Sequence, residues 1–169
     1  MLALRIGANA RSVLDVGSFG TPVLEWFPEA DLRQSVDLVK PYAASGIDSV
    51  TADFLDWTPS RKFDFGLCLQ VLEHVPDADA FARKLLATCD VLLVTVPYNW
   101  PETLTAYHVH DPVDEAKIQR WFGRNPNYSY IARETSGQER LVCVYDSRND
   151  APWRDVEAYR FRYRWRLPE

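Results

Sequence analysis

The stretch Phe63–Asp77, FDFGLCLQVLEHVPD, decides the fold. Its first seven residues form an apolar, aromatic-rich run interrupted only by Asp64 and Gly66, with the length and composition of a buried strand. The run ends near Gln70. After Pro76 the period changes: Ala78, Phe81, Ala82, Leu85 and Cys89 recur at helical spacing, with Asp77 or Asp79 placed to cap the first turn. A strand leading through a short polar turn into an amphipathic helix is the repeating unit of a parallel sheet.

Outward from this unit the same alternation continues. Val91–Val96 (VLLVTV) is a fully apolar run stopped by Pro97, suited to a central parallel strand. Upstream, Ser12–Val16 reads as a buried strand followed by a turn and an amphipathic piece at Val23–Phe27. Arg33–Val39 and Ser49–Asp53 read as weaker strands. Downstream, Asp111-Pro112-Val113-Asp114 looks like an N-cap with Pro at the first helical position, and Gly123 like a helix stop. Tyr128–Arg133 and Arg140–Tyr145 then read as strands joined by a turn at Ser136-Gly137. The expectation is an α/β fold: a doubly wound, mostly parallel sheet with an antiparallel C-terminal edge. No repeat or linker divides the chain. One domain is expected, with a body over 1–146 and an Arg/aromatic extension over 147–169.

Composition excludes several classes. Eight Phe, eight Tyr and six Trp among 169 residues are too many for a disordered chain, and seven Gly are too few for a collagenous one. The net charge of -5 argues against a generic polyanion binder, so nucleic acid is not expected as a partner. Residues 147–169 hold six Arg against four acids, making the extension basic on an acidic body. Cys68, Cys89 and Cys143 lie within separate apolar runs and read as free core thiols. Arg5, Asn9 and Arg11 interrupt any N-terminal signal-like stretch, and no run reaches membrane-spanning length. A cytoplasmic location without membrane attachment is expected.

In sheets of this kind, ligands bind beyond the carboxyl ends of the strands. Four such ends carry polar residues in order. Asp15-Val16-Gly17-Ser18-Phe19-Gly20 follows the first strand, and Asp37 lies 22 residues after Asp15, near the usual distance for a ribose-binding acid. Asp53-Phe54 ends the third strand, and Gln70-Val71-Leu72-Glu73-His74-Val75 follows the fourth. Alone, each is the turn chemistry of any loop. In sequence on this fold they describe one crevice.

These segments resemble the class I S-adenosylmethionine-dependent methyltransferases. VLDVGSFG is similar to the first motif of that family, V-L-D-x-G-x-G-x-G; VTADFLDW to the segment whose Asp meets adenine; FDFGLCLQVLEHVPD to the strand-four signature; and LLVTVPYN to the strand that follows. The resemblance spans about residues 12–146 and implies a Rossmann-like methyltransferase fold with S-adenosylmethionine as cofactor. By this resemblance, Asp15 and the turn at Gly17 would lie against the methionine portion, Asp37 would accept the ribose hydroxyls, and Asp53 the adenine amino group beside Phe54. Gln70 would stand near the methyl carbon. The first motif departs from the pattern: Phe19 and Thr21 occupy the places of the second and third Gly, and Gly20 offers the turn with a one-residue shift.

An alcohol or ammonium acceptor must lose a proton, which a nearby imidazole accepts near neutral pH. His108 and His110, in the segment after the fifth strand, would share one side of an extended chain. His108 is the preferred base and His110 the second; loop bonding is the alternative for both. His74 reads equally well as structural. A metal reading of His108, His110 and Asp111, with Glu73 or Asp77, lacks a helical His pair or a Cys pair, and no metal is expected. Tyr98, Trp100 and Tyr107 form either an aromatic platform or loop packing. The alternating segment Tyr159–Arg166 suits an edge strand or a contact with a second copy or partner chain better than it suits base stacking. The leading reading is methyl transfer to an oxygen or nitrogen of a small molecule, with a sugar hydroxyl as the suggested acceptor. The alternative is a catalytically silent domain acting as a partner or scaffold subunit.

Overall fold

The computed structural model describes residues 2–102 and 105–154. The strands are β1 (Ser12–Val16), β2 (Leu32–Asp37), β3 (Asp48–Thr51), β4 (Phe63–Leu69), β5 (Cys89–Pro97), β6 (Tyr128–Arg133) and β7 (Glu139–Asp146). The α-helices are α1 (Leu2–Gly7), α2 (Ala78–Thr88) and α3 (Glu115–Phe122), with short 3-10 turns at Val23–Trp26 and Leu72–His74. One sheet holds all these strands in the order β3-β2-β1-β4-β5-β7-β6. Its first five strands in space pair in parallel, and β7 runs antiparallel to both β5 and β6. The chain walks outward from β1 to β3, then returns to place β4 on the other side of β1. That reversal opens a crevice between the ends of β1 and β4.

Each central strand is buried on both faces, which is why its sequence is continuously apolar. In β5, Leu92, Val94 and Val96 face a core shared with Phe81, Ala82 and Leu85 of α2 and Ile118, Trp121 and Phe122 of α3. Val91 and Leu93 face the opposite layer with Ala3 and Ile6 of α1, Val23, Leu24 and Phe27. At roughly 2 kcal/mol for each large side chain so buried, these two layers carry the fold. The second layer is thin: the piece expected at Val23–Phe27 is a single 3-10 turn, and no helix joins β2 to β3. The thiols Cys68, Cys89 and Cys143 are free and buried, as expected.

Two local expectations are corrected. The third strand ends at Thr51, so Asp53 lies beyond it in the loop. Helix α3 begins at Glu115 rather than at Pro112, because Asp114 supplies the cap by accepting the Lys117 amide at 2.7 Å. Asp111 is thereby released for another role. The Asp77 cap of α2 and the left-handed Gly123 that ends α3 follow the sequence reading.

Asn127 ties residues 147–154 back onto the sheet. Its side chain is 2% exposed and makes four hydrogen bonds: Oδ1 accepts from Arg124 Nη2 (2.7 Å) and the Asp146 amide (2.6 Å), while Nδ2 donates to the carbonyls of Asn149 (2.6 Å) and Ala151 (2.8 Å). Asn127→Ala removes all four bonds, with only Arg124 Nη2 and the Asn149 carbonyl keeping each other at 3.3 Å, and is expected to cost about 2–4 kcal/mol. In a thermal melt that is a fall of roughly 10 °C, and a shift below about 2 °C would refute the assignment. The alternating segment Tyr159–Arg166 lies outside the described residues. Among the described residues no helix is long and apolar enough to cross a membrane.

Candidate functional site

At the β1 end, Asp15 is 2% exposed and its Oδ2 has no hydrogen-bond partner among the described residues. Burial, with a smaller push from the Asp37 carboxylate, raises its carboxyl to about 7. Gly17 follows with φ 78°, Phe19 with φ 45° and Gly20 with φ 76°, so three residues of this loop are left-handed. For Phe19 that conformation is uncommon and costs about 1 kcal/mol. Its ring is 68% exposed, with Lys40 Nζ 6.0 Å from its centre, so it neither packs beneath the crevice nor enters the core.

Asp37 holds this loop in place. Its Oδ2 accepts the Phe19 amide at 2.9 Å, and its Oδ1 accepts the amides of Val39 and Lys40, each at 2.8 Å. Burial pushes this carboxyl up, but the amides of Lys40, Val39 and Phe19 outweigh it and hold the group below the ordinary carboxylate range. Beneath the loop, Ser35 and Ser18 join through their hydroxyls at 2.9 Å, and both accept the Tyr42 amide. The ribose role implied for Asp37 thus falls on a carboxylate already accepting three donors, which leaves about one lone-pair direction of four.

Beyond β3, Asp53 is exposed, with Oδ1 accepting the Leu55 amide at 2.8 Å. Phe54 points the other way: it is 4% exposed and packs on Phe81 at 4.8 Å and Trp57 at 5.9 Å. At the β4 end, Gln70 has φ 59°, and its Nε2 donates to Thr95 Oγ1 at 3.0 Å. Val71 then covers Gly17 so closely that a Cβ there would meet its Cγ2 at 2.4 Å. The carboxylates of Asp15 and Asp37 are brought together, and Gly17 joins them to the β4 end.

The two candidate histidines do not share a side. Residues 105–110 turn rather than extend, and each imidazole finds its own partner. His110 Nε2 bonds the Val75 carbonyl at 2.7 Å, and its ring lies edge-on to Trp121. His108 turns inward, where its side chain is 6% exposed. Its Nδ1 lies 2.6 Å from Asp111 Oδ2, the acid freed from the helix cap. The His108 ring stacks on Trp100 at 5.9 Å and meets His74 edge-on at 4.8 Å. Of the three aromatics proposed as a platform, Trp100 lies in this cluster, Tyr98 bonds Glu115, and Tyr107 is 80% exposed.

Glu73 entered the sequence reading only as an optional member of the metal set that was set aside, not as a site residue. It is 1% exposed, and neither carboxylate oxygen has a hydrogen-bond partner among the described residues. Burial pushes this carboxyl up to about 8, with partial relief from its own backbone amide, too poorly placed to make a hydrogen bond, and then from the Arg140 guanidinium. The signal was an acid followed by His in the turn after a buried strand, a pattern shared with ordinary helix starts.

The chain has the class I methyltransferase fold. It superposes on the N-methyltransferase NodS from Bradyrhizobium japonicum WM9 in complex with S-adenosylhomocysteine, with a TM-score of 0.67, 14% identity, and coverage of 85% of this chain and 82% of that one. Against the Burkholderia thailandensis 1,6-didemethyltoxoflavin-N1-methyltransferase with bound 1,6-didemethyltoxoflavin and S-adenosylhomocysteine, the values are 0.66, 19%, 85% and 75%. The N-terminal domain of EvdMO1, solved in the presence of S-adenosylhomocysteine and D-fucose, gives 0.61, 14%, 85% and 78%. No protein-family model and no curated protein matches the sequence.

Proposed function

We propose that this chain binds S-adenosylmethionine at the ends of β1 to β4 and catalyses methyl transfer to an oxygen or nitrogen of a small molecule. The observation that carries the reading is the orphaned, buried Asp15 Oδ2 at the reversal between β1 and β4, an acceptor suited to an ammonium donor. Around it, Gly17 and Gly20 would let the loop backbone approach the ligand. Asp37 would offer its remaining lone pair to a ribose hydroxyl, and Asp53 its free oxygen to the adenine amino group. Phe54 would support that subsite from the core, and Gln70 would stand at the methyl end. When bound, the cofactor would supply an electrophilic methyl carbon on a sulfonium, to which an acceptor lone pair would bond as the C–S bond breaks and its electrons return to sulfur.

The chain's own contribution is to position the acceptor and to take up its proton. His108 is the residue we assign to that proton. Its Nδ1–H is directed at Asp111, which orients the ring, stabilises the imidazolium and leaves the Nε2 lone pair available. His110, committed to the Val75 carbonyl, is the weaker candidate. A sugar hydroxyl remains the suggested acceptor, supported by Trp100 beside His108 and by the D-fucose of the EvdMO1 structure.

Calorimetric titration of the full chain with S-adenosylhomocysteine tests the reading. Saturable binding is expected, weakened about 10- to 100-fold in Asp53→Ala, the loss of one charge-assisted hydrogen bond. A folded wild-type chain that binds none would favour the scaffold reading instead.

A further inference from the structure

Three side chains converge beside the crevice in a way that methyl transfer alone does not require. Glu73, His74 and His108 each bring one donor atom within 4.8 Å of the others. Each imidazole has a partner at Nδ1. His74 Nδ1 lies 3.0 Å from the Tyr107 carbonyl, and His108 Nδ1 lies 2.6 Å from Asp111 Oδ2. A carbonyl and a carboxylate only accept, so in each neutral ring Nδ1 carries the proton and Nε2 the lone pair. The third member is a carboxylate 1% exposed whose two oxygens have no hydrogen-bond partner among the described residues. Protonating Glu73 would remove its charge but leave its oxygens unsatisfied, a state that buried polar groups seldom occupy. A cation satisfies it.

We propose that Glu73, His74 and His108 form a binding site for a divalent first-row transition-metal cation. Two imidazoles and one carboxylate without thiolate suit Mn2+, Fe2+, Co2+ or Zn2+ rather than a soft monovalent ion or Ca2+. Asp111 is the outer carboxylate that orients His108, an arrangement common among metal-bound histidines. Around an ion with bonds of about 2.1 Å, donors lie about 3–3.5 Å apart, so binding must draw these three together by about an ångström. The exposed side chain of His74 can rotate to supply that closure. His110 is excluded from the set by its bond to Val75.

Three protein ligands leave coordination positions open, as in catalytic rather than structural sites. An acceptor hydroxyl bound at one of them would release its proton more readily, to solvent or to a neighbouring base. That step rests on the methyl-transfer reading; the binding of the cation does not. Cation binding and proton acceptance draw on the same His108 lone pair and exclude one another, so a chain that takes up no cation leaves His108 as the base.

The test is a titration of the chelator-stripped full chain with MnCl2 and, separately, ZnCl2, without cofactor, read by calorimetry and by loss of the free Mn2+ paramagnetic resonance signal. One cation per chain is expected. His74→Ala removes an exposed ligand without emptying the core and should weaken binding by more than about 10-fold. Asp111→Asn should weaken it by about 10- to 100-fold. Circular dichroism of the same samples establishes that each variant is folded. Failure of the wild-type chain to bind either ion, or unchanged affinity in a folded His74→Ala chain, overturns the site. Titration of the stripped chain with S-adenosylhomocysteine reports on the cofactor reading independently.

Discussion

Gly17→Ala is expected to destabilise the chain by about 3 kcal/mol or more and to abolish binding of S-adenosylhomocysteine. Two independent effects add. The backbone at Gly17 has φ 78°, where a side chain costs about 1–2 kcal/mol. The added Cβ would also lie 2.4 Å from Val71 Cγ2 and 3.0 Å from its Cγ1, and relieving such an overlap costs about 1–3 kcal/mol. Val71 begins the turn leading to Glu73, so displacing it disturbs both sides of the crevice. Urea denaturation of Gly17→Ala and of Gly17→Ala/Val71→Ala separates the effects. The second change should recover the packing loss, beyond its own cost, but not the conformational one. Additive effects of the two changes would show that no steric coupling exists.

Asp15→Asn is expected to make the protein more stable at pH 8 while weakening its ligand. The Asp15 carboxyl is raised from 3.8 to about 7 by burial first and the Asp37 charge second. Below pH 4 the folded and unfolded chains both hold the proton, and ionisation costs nothing. As pH rises to about 7, the unfolded chain releases its proton before the folded one, and stability falls throughout that window. Above it the folded chain carries a buried carboxylate, at a cost on the order of 4 kcal/mol. Asn removes that charge. The variant should match the wild type near pH 4 and exceed it by about 2–4 kcal/mol at pH 8, read from urea midpoints. A difference independent of pH would refute the assignment. Weaker binding of S-adenosylhomocysteine by the same variant, by about 10-fold or more, would identify the buried carboxylate as a functional cost rather than a packing error.

The crevice was legible where its chemistry is local. Asp15, Asp37 and Asp53 stand just after or at the ends of apolar runs, and strand ends can be read from the runs themselves. The inward turn of Phe54, the exposure of Phe19 and the separation of His108 from His110 were not legible. A loop carries no period from which to read direction: Phe54, Phe19 and His110 meet partners far along the chain, Phe81, Lys40 and Val75, while His108 is turned inward onto Asp111, three residues on.

The sequence by itself determined the succession of strands and of the helices α2 and α3, though not α1, together with the antiparallel edge and the order of acids along the crevice. Hydrophobic period, capping residues and turn glycines act over a few neighbouring positions, so FDFGLCLQVLEHVPD specifies a strand, a turn and the start of a helix wherever it is placed. Tertiary structure alone decided how the carboxylates are spent. Parallel pairing of β1 with β2 brings the Asp37 carboxylate under the Phe19 amide. Pairing of β4 with β5 sets the turn carrying Glu73 and His74 beside the segment carrying His108, with the Val109 amide donating to the Glu73 carbonyl at 2.8 Å. Whether a polar group is satisfied or orphaned depends on every atom around it, and those atoms come from strands far apart in the chain.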